Sequence, residues 1–341
     1  MNNYKKILSI VIPTYNMEMY LHRCLDSLLI SKNELLEVLI VNDGSKDSSL
    51  QIAREYEKKY PQTFRTIDKE NGNYGSCVNR GLKEATGKYI KILDADDYFD
   101  TRLFSLYIDF LLKTDVDLVL SDFNMVNNDG KVLHSKTYSS IAPETILIPD
   151  SLLAKQDIWM HAVAYRTENL KLMGYVQTEG ISYTDQEWIF LPMTTVASYS
   201  HFAHPLYNYV IGREGQTVDK KVHAKNFHQE VKGLMVMSSE YCSIAENELP
   251  AWAGDYLQNR ILYRCNGVYS NYLFLLREFL DLKELVDIDH VLKKDYKPVY
   301  DLSNNHGYSV FRYHYIRDWR VSNFQETLKL KLYRLYLKAR N

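Results

Sequence analysis

The chain has 341 residues, with 41 Lys and Arg against 43 Asp and Glu and a formal net charge of −2, so no global basic field exists to gather nucleic acid. With 46% hydrophobic and 25% charged residues the composition is that of a soluble globular protein, which excludes a disordered or collagen-like chain. Four well-separated cysteines, Cys24, Cys77, Cys242 and Cys265, form no C-x-x-C pair, so neither a disulfide framework nor a zinc site is written here and a reducing cytoplasm is the expected compartment.

Lys5 and Lys6 lead into the apolar run Ile7 to Ile12, which is too short and lacks the small-residue cleavage site of a signal peptide, and reads as the first strand. Met17 to Ile30 follows with Tyr20, Leu21, Cys24, Leu25, Leu28 and Leu29 at helical spacing. Val38 to Val41 is a second buried strand, ended by the turn residues Asn42-Asp43-Gly44-Ser45, and Asp47 to Lys59 a second helix. Phe64 to Ile67 is a third strand. The loop Glu70-Asn71-Gly72-Asn73-Tyr74-Gly75 then opens a helix from Ser76 to Ala85, and Tyr89 to Leu93 is a strand ending in Asp94-Ala95-Asp96-Asp97.

Helix Leu103 to Leu112 and strand Val116 to Leu120 continue this alternation, which predicts an α/β domain on a mostly parallel sheet. Turn residues between Asn124 and Pro149 predict a hairpin, and Trp159 to Tyr165 a later strand. From about Asp219 long helical-period stretches, Phe227 to Ala245 and Trp252 to Leu276, replace the alternation. The expected division is therefore 1–218 and a helical 219–341, near the two domains that about 150 residues each would give. No stretch reaches the roughly 18 to 20 continuous apolar residues of a membrane span, so membrane contact is expected to be peripheral if present.

Ligands of open α/β sheets bind beyond the carboxyl ends of the strands, where Thr14, Asp43 and Asp94 fall. Asp94-Ala95-Asp96-Asp97 is the most informative segment: crowded carboxylates repel one another unless a cation joins them, and hard oxygen ligands suit Mg²⁺ or Mn²⁺. A solvated acidic turn is the plain alternative. Gly81 to Lys88 is not a P-loop, since its gap is five residues and it precedes a strand, and no G-x-G-x-x-G follows the first strand.

Val11-Ile12-Pro13-Thr14-Tyr15-Asn16, Val41-Asn42-Asp43-Gly44-Ser45, Glu70-Asn71-Gly72, Ala85-Thr86-Gly87-Lys88-Tyr89 and Asp94-Ala95-Asp96-Asp97 occur in this order over the first 100 residues. Together they resemble a family 2 glycosyltransferase of the bacterial cell-surface glycan type. The resemblance implies the GT-A fold, a Rossmann-like core with a mostly parallel central sheet over residues 1–218, and an inverting, metal-dependent hexosyl transfer. It implies a nucleotide-sugar donor, most often a UDP-sugar, with Pro13, Thr14 and Tyr15 beside the base and Asp43 on the uracil. Asn71, Gly72 and Asn79 are expected near the donor, Asp94 and Ala95 at the ribose and metal, and Asp96, with Asp94, on the Mn²⁺ or Mg²⁺ of the diphosphate.

Tyr183-Thr184-Asp185-Gln186-Glu187-Trp188 resembles the family's second acidic motif, with Asp185 as the base and Glu187 its rival; an N-cap aspartate is the plain alternative. Arg213, in a segment like the family's Arg-x-Gly-Gln end, is expected to meet phosphate or acceptor charge. His204 is a possible last metal ligand, although a surface or core histidine at 201 or 204 is the commoner case. The family's Ala-Arg-Asn triplet is here Cys77-Val78-Asn79-Arg80, so its arginine is missing.

Beyond Phe311 the tail holds eight basic residues against Asp318 and Glu326. A basic amphipathic helix from Thr327 to Ala339 suits the inner face of an anionic membrane, where lipid-linked glycan acceptors reside; a solvated helix packed on its own domain is the alternative. The expected acceptor is a surface polysaccharide, teichoic acid or glycoprotein glycan. Two rival functions are a catalytically degenerate scaffold or activator and a sugar-1-phosphate nucleotidyltransferase. The retained acidic residues oppose the first, and the missing glycine- and arginine-rich first loop opposes the second.

Overall fold

The structure, a computed structural model, describes residues 5–212, 220–244, 249–305 and 314–340. Two compact units divide the chain, Met1–Arg213 and Glu214–Asn341.

The first unit is built on one curled sheet. Strands β1 (Leu8–Thr14), β2 (Leu36–Asn42), β3 (Phe64–Asp68) and β4 (Tyr89–Ile92) pair in parallel, in the spatial order β3-β2-β1-β4. β1, β2 and β4 are almost wholly buried, as inner strands covered on both faces must be, whereas the edge strand β3 exposes Arg65 and Asp68. The sheet continues through β8 (Val163–Arg166), antiparallel to β4, then β6 (Leu118–Val126), β9 (Tyr199–Val210) and the short β5 (Tyr98–Phe99). β6 and β9 run parallel to each other, β5 antiparallel to β9, and β7 (Val132–Lys136) closes the expected hairpin against β6. Six strands thus point one way and β5, β7 and β8 the other, which is the mostly parallel GT-A sheet.

Helices α1 (Leu21–Asp26), α2 (Ser49–Lys59), α3 (Asn73–Glu84) and α4 (Thr101–Lys113) connect these strands, followed by α5 (Ser151–Ala154), α6 (Thr167–Leu172) and α7 (Asp185–Trp188). α1 is shorter than the apolar spacing predicts. Ser27 Oγ donates to Cys24 O at 2.6 Å and Ser27 N to Arg23 O at 3.2 Å, closing the helix in a turn. The strand expected from Trp159 begins instead with a 3₁₀ turn, Met160–Ala162.

The second unit is helical: α8 (Lys220–Ser243), α9 (Ala251–Ser270), α10 (Leu282–Asp295), α11 (Lys297–Asn305), α12 (Tyr315–Val321) and α13 (Leu328–Arg340). α9 passes into a π turn at Asn271–Leu275 rather than running on as one helix. Its core includes Leu234, Leu257, Ile261, Val268, Leu285, Leu292 and Trp319. Arg320, one of the tail's eight basic residues, has its side chain buried there. Its Nε donates to Asp289 Oδ1 at 2.6 Å, its Nη2 to Tyr269 Oη at 3.0 Å, and its guanidinium lies 3.8 Å from the centre of the Tyr300 ring. Among the described residues no helix is long and apolar enough to cross a membrane.

Candidate active site

Parallel pairing of β1, β2 and β3 stacks their carboxyl ends side by side, Thr14 opposite Asn42 and Asn42 opposite Asp68. Near the end of β1 Pro13 is half-buried, Thr14, its last residue, is buried, and Tyr15 beyond it is exposed. Thr14 O accepts from Asp43 N at 2.8 Å, tying the first two loops together. The buried Asp43 carboxylate is already engaged: Oδ1 accepts from Lys69 Nζ at 2.5 Å and from Gly72 N at 2.9 Å. Asn71 Nδ2 donates to Asp43 O at 2.9 Å. Asp43, Asn71 and Gly72 are therefore brought together, and Lys69, which the sequence reading missed, is the cation that joins them.

The acidic turn lies two strands away. Ala95 is buried, and Asp96 O accepts from Arg23 Nη2 at 3.0 Å. Asp94 Oδ1 accepts from Tyr74 Oη at 2.8 Å, and Asp94 N donates to Tyr207 Oη at 3.1 Å. Asp97 is buried beneath: Oδ2 accepts from Tyr207 Oη at 2.6 Å and Oδ1 from Val210 N at 2.7 Å. Burial and then the charges of Asp96 and Asp94 push the Asp97 carboxyl well above the usual carboxylate range. A segment with like charges so close is a natural place for a cation.

Among the described residues, the group of His, Cys, Asp and Glu whose ligand atoms all come within 4.8 Å of one another is Asp94, Asp97 and His161. Neither Asp96 nor His204 is in that group. His204 is exposed on β9 with its ring against Phe202, which packs on Tyr107 and Phe110 of α4, and His201 is spent on Asp122 Oδ1 at 2.8 Å. His161, missed from the sequence, is buried just before β8. Its ring stacks on Tyr209 at 4.5 Å and meets the edge of Tyr207 at 4.9 Å, and its Nδ1 has no hydrogen-bond partner. Burial and the neighbouring Lys91 hold the imidazole at about 3, so it stays neutral. Carboxylate oxygens with one neutral imidazole form a donor set that fits a divalent cation such as Mn²⁺.

The second acidic motif sits on α7. Glu187 is buried, and its Oε2 accepts from Thr178 N at 2.8 Å, so it pins the preceding loop. Asp185, in the first turn of α7, is half-buried. Burial, then Asp94, and then the charges of Asp185 and Asp97 push the Tyr74 phenol up, and Tyr209 likewise feels all four acidic groups including Asp96. The charge of Asp185 thus reaches the same two phenols as the acidic turn. Asn79 is engaged elsewhere: its Nδ2 donates to Gln177 O at 2.8 Å and to Glu179 Oε1 at 2.9 Å, while its Oδ1 accepts from Gln177 N at 2.8 Å. Its amide is a strut for the 177–179 loop, and Arg80 turns to Glu84 at 2.9 Å. Arg213 lies outside the described residues.

Comparison with known proteins places the chain among glycosyltransferases. The profile of glycosyl transferase family 2 matches residues 9–174. Over 205 residues, 54% of this chain and 32% of the relative, the sequence is 31% identical to the poly(ribitol-phosphate) beta-glucosyltransferase of Bacillus spizizenii. Matches to other curated glycosyltransferases likewise span only 36%, 45% and 34% of those relatives' length. Among solved structures, S. aureus TarS 1-349 in complex with UDP-GlcNAc superposes with a TM-score of 0.66 at 21% identity, covering 93% of this chain and 89% of that one. The mannosyltransferase PcManGT of Pyrobaculum calidifontis, in complex with GDP-Man and Mn²⁺, gives 0.51 at 15% identity, covering 88% and 85%. At such identities the structural likeness concerns the fold.

Proposed function

This chain carries a family 2 glycosyltransferase domain, and from that premise we propose that it transfers a sugar, with inversion, from a UDP-sugar to a hydroxyl of a cell-surface glycan of the teichoic acid or polysaccharide kind. The observation that carries the reading is the convergence of two acidic segments about 90 residues apart in sequence on Tyr74, which bonds Asp94 and feels Asp185. One segment suits the departing diphosphate and the other the incoming hydroxyl.

In this reading the base lies beside Thr14, Tyr15 and Asp43, whose carboxylate is oriented by Lys69 and Gly72 N. Asp94, with Asp97, His161 and the adjoining Asp96, would hold Mn²⁺ or Mg²⁺, which supplies Lewis-acid stabilisation of the charge that builds on the leaving nucleoside diphosphate. Asp185 accepts the proton of the acceptor hydroxyl as its oxygen attacks the anomeric carbon from the face opposite the leaving group. One in-line displacement breaks the bond to the diphosphate and inverts the anomeric centre. Tyr207 and Val210 N keep Asp97 fixed, so the turn is organised before the donor arrives.

The UDP-GlcNAc of the TarS structure and the teichoic-type relative support the donor and acceptor classes. Residues 1–218 are taken as the catalytic region, and Arg213 is assigned to phosphate or acceptor charge on the sequence resemblance alone. Action at the inner face of the cell membrane fits a glycan acceptor carried on lipid. Calorimetric titration of UDP, GDP and UMP, with and without Mn²⁺, tests the donor half. UDP preferred and strengthened by the metal is expected, and no binding of any of the three would overturn it.

A further inference from the structure

We propose that His161 is a nitrogen ligand of the divalent cation at the Asp94–Asp97 turn, and that it biases this site toward Mn²⁺ over Mg²⁺. The proposal rests on reading that turn as the donor and cation site.

Topology makes the juxtaposition. β4 and β8 are antiparallel neighbours, with Tyr89 opposite Arg166 and Ile90 opposite Tyr165. Asp94 lies two residues past the carboxyl end of β4, and His161 sits in the 3₁₀ turn two residues before β8, so the carboxyl end of one strand delivers the carboxylate and the approach to its neighbour delivers the imidazole. Their ligand atoms, with that of Asp97, lie within 4.8 Å of one another.

Three further features prepare His161 for such a role. Stacking on Tyr209, edge contact with Tyr207 and tilted contacts with Phe123 and Trp159 fix the plane of the ring. Lys91 Nζ donates to His161 O at 2.7 Å and to Val163 O at 3.2 Å, fixing the backbone. The buried Nδ1 has no hydrogen-bond partner, although a buried polar atom ordinarily finds one. An imidazole held rigidly beside two carboxylates with a nitrogen unspent is a ligand waiting for a cation, not a structural histidine like His201, which is spent on Asp122. Asp97, the other carboxylate of the group, accepts from Tyr207 Oη and Val210 N and so holds the turn in place beside the imidazole.

The metal preference follows from ligand chemistry. Mg²⁺ demands hard oxygen ligands and keeps its waters, whereas Mn²⁺ accepts imidazole nitrogen more readily.

The test is pulsed electron paramagnetic resonance of Mn²⁺ bound to the intact chain with UDP. Modulation from one imidazole nitrogen is expected, lost in His161→Phe and kept in His204→Phe. His161→Phe should also weaken Mn²⁺ by about tenfold or more, the scale at which perturbed coordination shells are felt, with little change for Mg²⁺. Absence of nitrogen modulation in the wild-type chain overturns the proposal, and so does its loss in His204→Phe alone. The wild-type spectrum needs no variant to fold. UDP binding without bound Mn²⁺ would instead sink the cation reading of the turn.

Discussion

Asp185 and Glu187 are two residues apart in sequence, yet their surroundings assign them different work. Glu187 is buried and holds Thr178 N, while Asp185 stands half-buried with its charge reaching the Tyr74 phenol that bonds Asp94. Asp185→Asn should lower kcat by about 10² to 10⁴, the usual worth of a positioned base, with UDP affinity unchanged. Glu187→Gln keeps an oxygen for Thr178 N and should leave kcat within a few-fold; the reverse pattern in steady-state kinetics would move the base to Glu187. A second prediction concerns Lys91, which is fully buried and which burial pulls down to about 7. Unfolded, it titrates near its ordinary 10.5, so between about 7 and 10.5 the unfolded chain holds the extra proton and stability rises with pH. Below 7 both states are charged and the full burial penalty persists. Lys91→Met should abolish that rise in urea denaturation series, although it leaves His161 O and Val163 O without their donor. A slope across this window that the variant retains would assign it to another group.

At the scale of elements, the clasp between the start of α3 and the 177–180 loop sets the distance from the donor side to Asp185. Gly180 N donates to Gly72 O at 2.9 Å, Asn79 ties down Gln177, and a Cβ on Gly75 would stand 2.0 Å from Thr178 O. Gly75→Ala must push that backbone away, so about 1–3 kcal/mol of stability should be lost, as in other overpacked sites, together with kcat. Gly180→Ala meets no atom within 4 Å and carries only the strain of φ +76°, so it should cost less. Equal losses in thermal unfolding would remove the clasp as the cause. This element also shows where sequence reading stops. The glycine loop and the acidic turn were legible because turn chemistry and crowded carboxylates are local signals, and Asp94 and Asp43 stand at strand ends as expected. Asn79 was not legible, because its partner is 98 residues away. His161 was not either, since its place depends on the β4–β8 register. Lys69, just past the end of β3, and Tyr74, within the glycine loop, carried only the weak signal of polar groups near a strand end.

For the molecule as a whole, the alternation of strands and helices predicted an α/β unit followed by a helical one, while strand order, decided by long-range pairing, was not readable from local pattern. The tail shows the same divide. Its basic charge was visible, but Arg320 is buried against Asp289, and Lys329 and Arg334 pair with Asp318 and Glu326. What structure adds is an apolar stripe on α13: Leu328, Leu332, Leu335 and Tyr336 are 73%, 57%, 63% and 47% exposed, beside the exposed Lys331. Leucines at helical spacing flanked by lysine suit the interface of an anionic bilayer, where apolar contact and charge attraction add. Removing everything after Val321 would also take away the buried Leu330, so point substitution is the cleaner test. Leu332→Glu with Leu335→Glu should strongly reduce co-sedimentation of the full chain with phosphatidylglycerol vesicles, and salt should weaken the wild-type binding as charges are screened. Neutral phosphatidylcholine vesicles should bind poorly. Equal binding to both lipids, or binding untouched by the double substitution, would assign the stripe to protein contact instead.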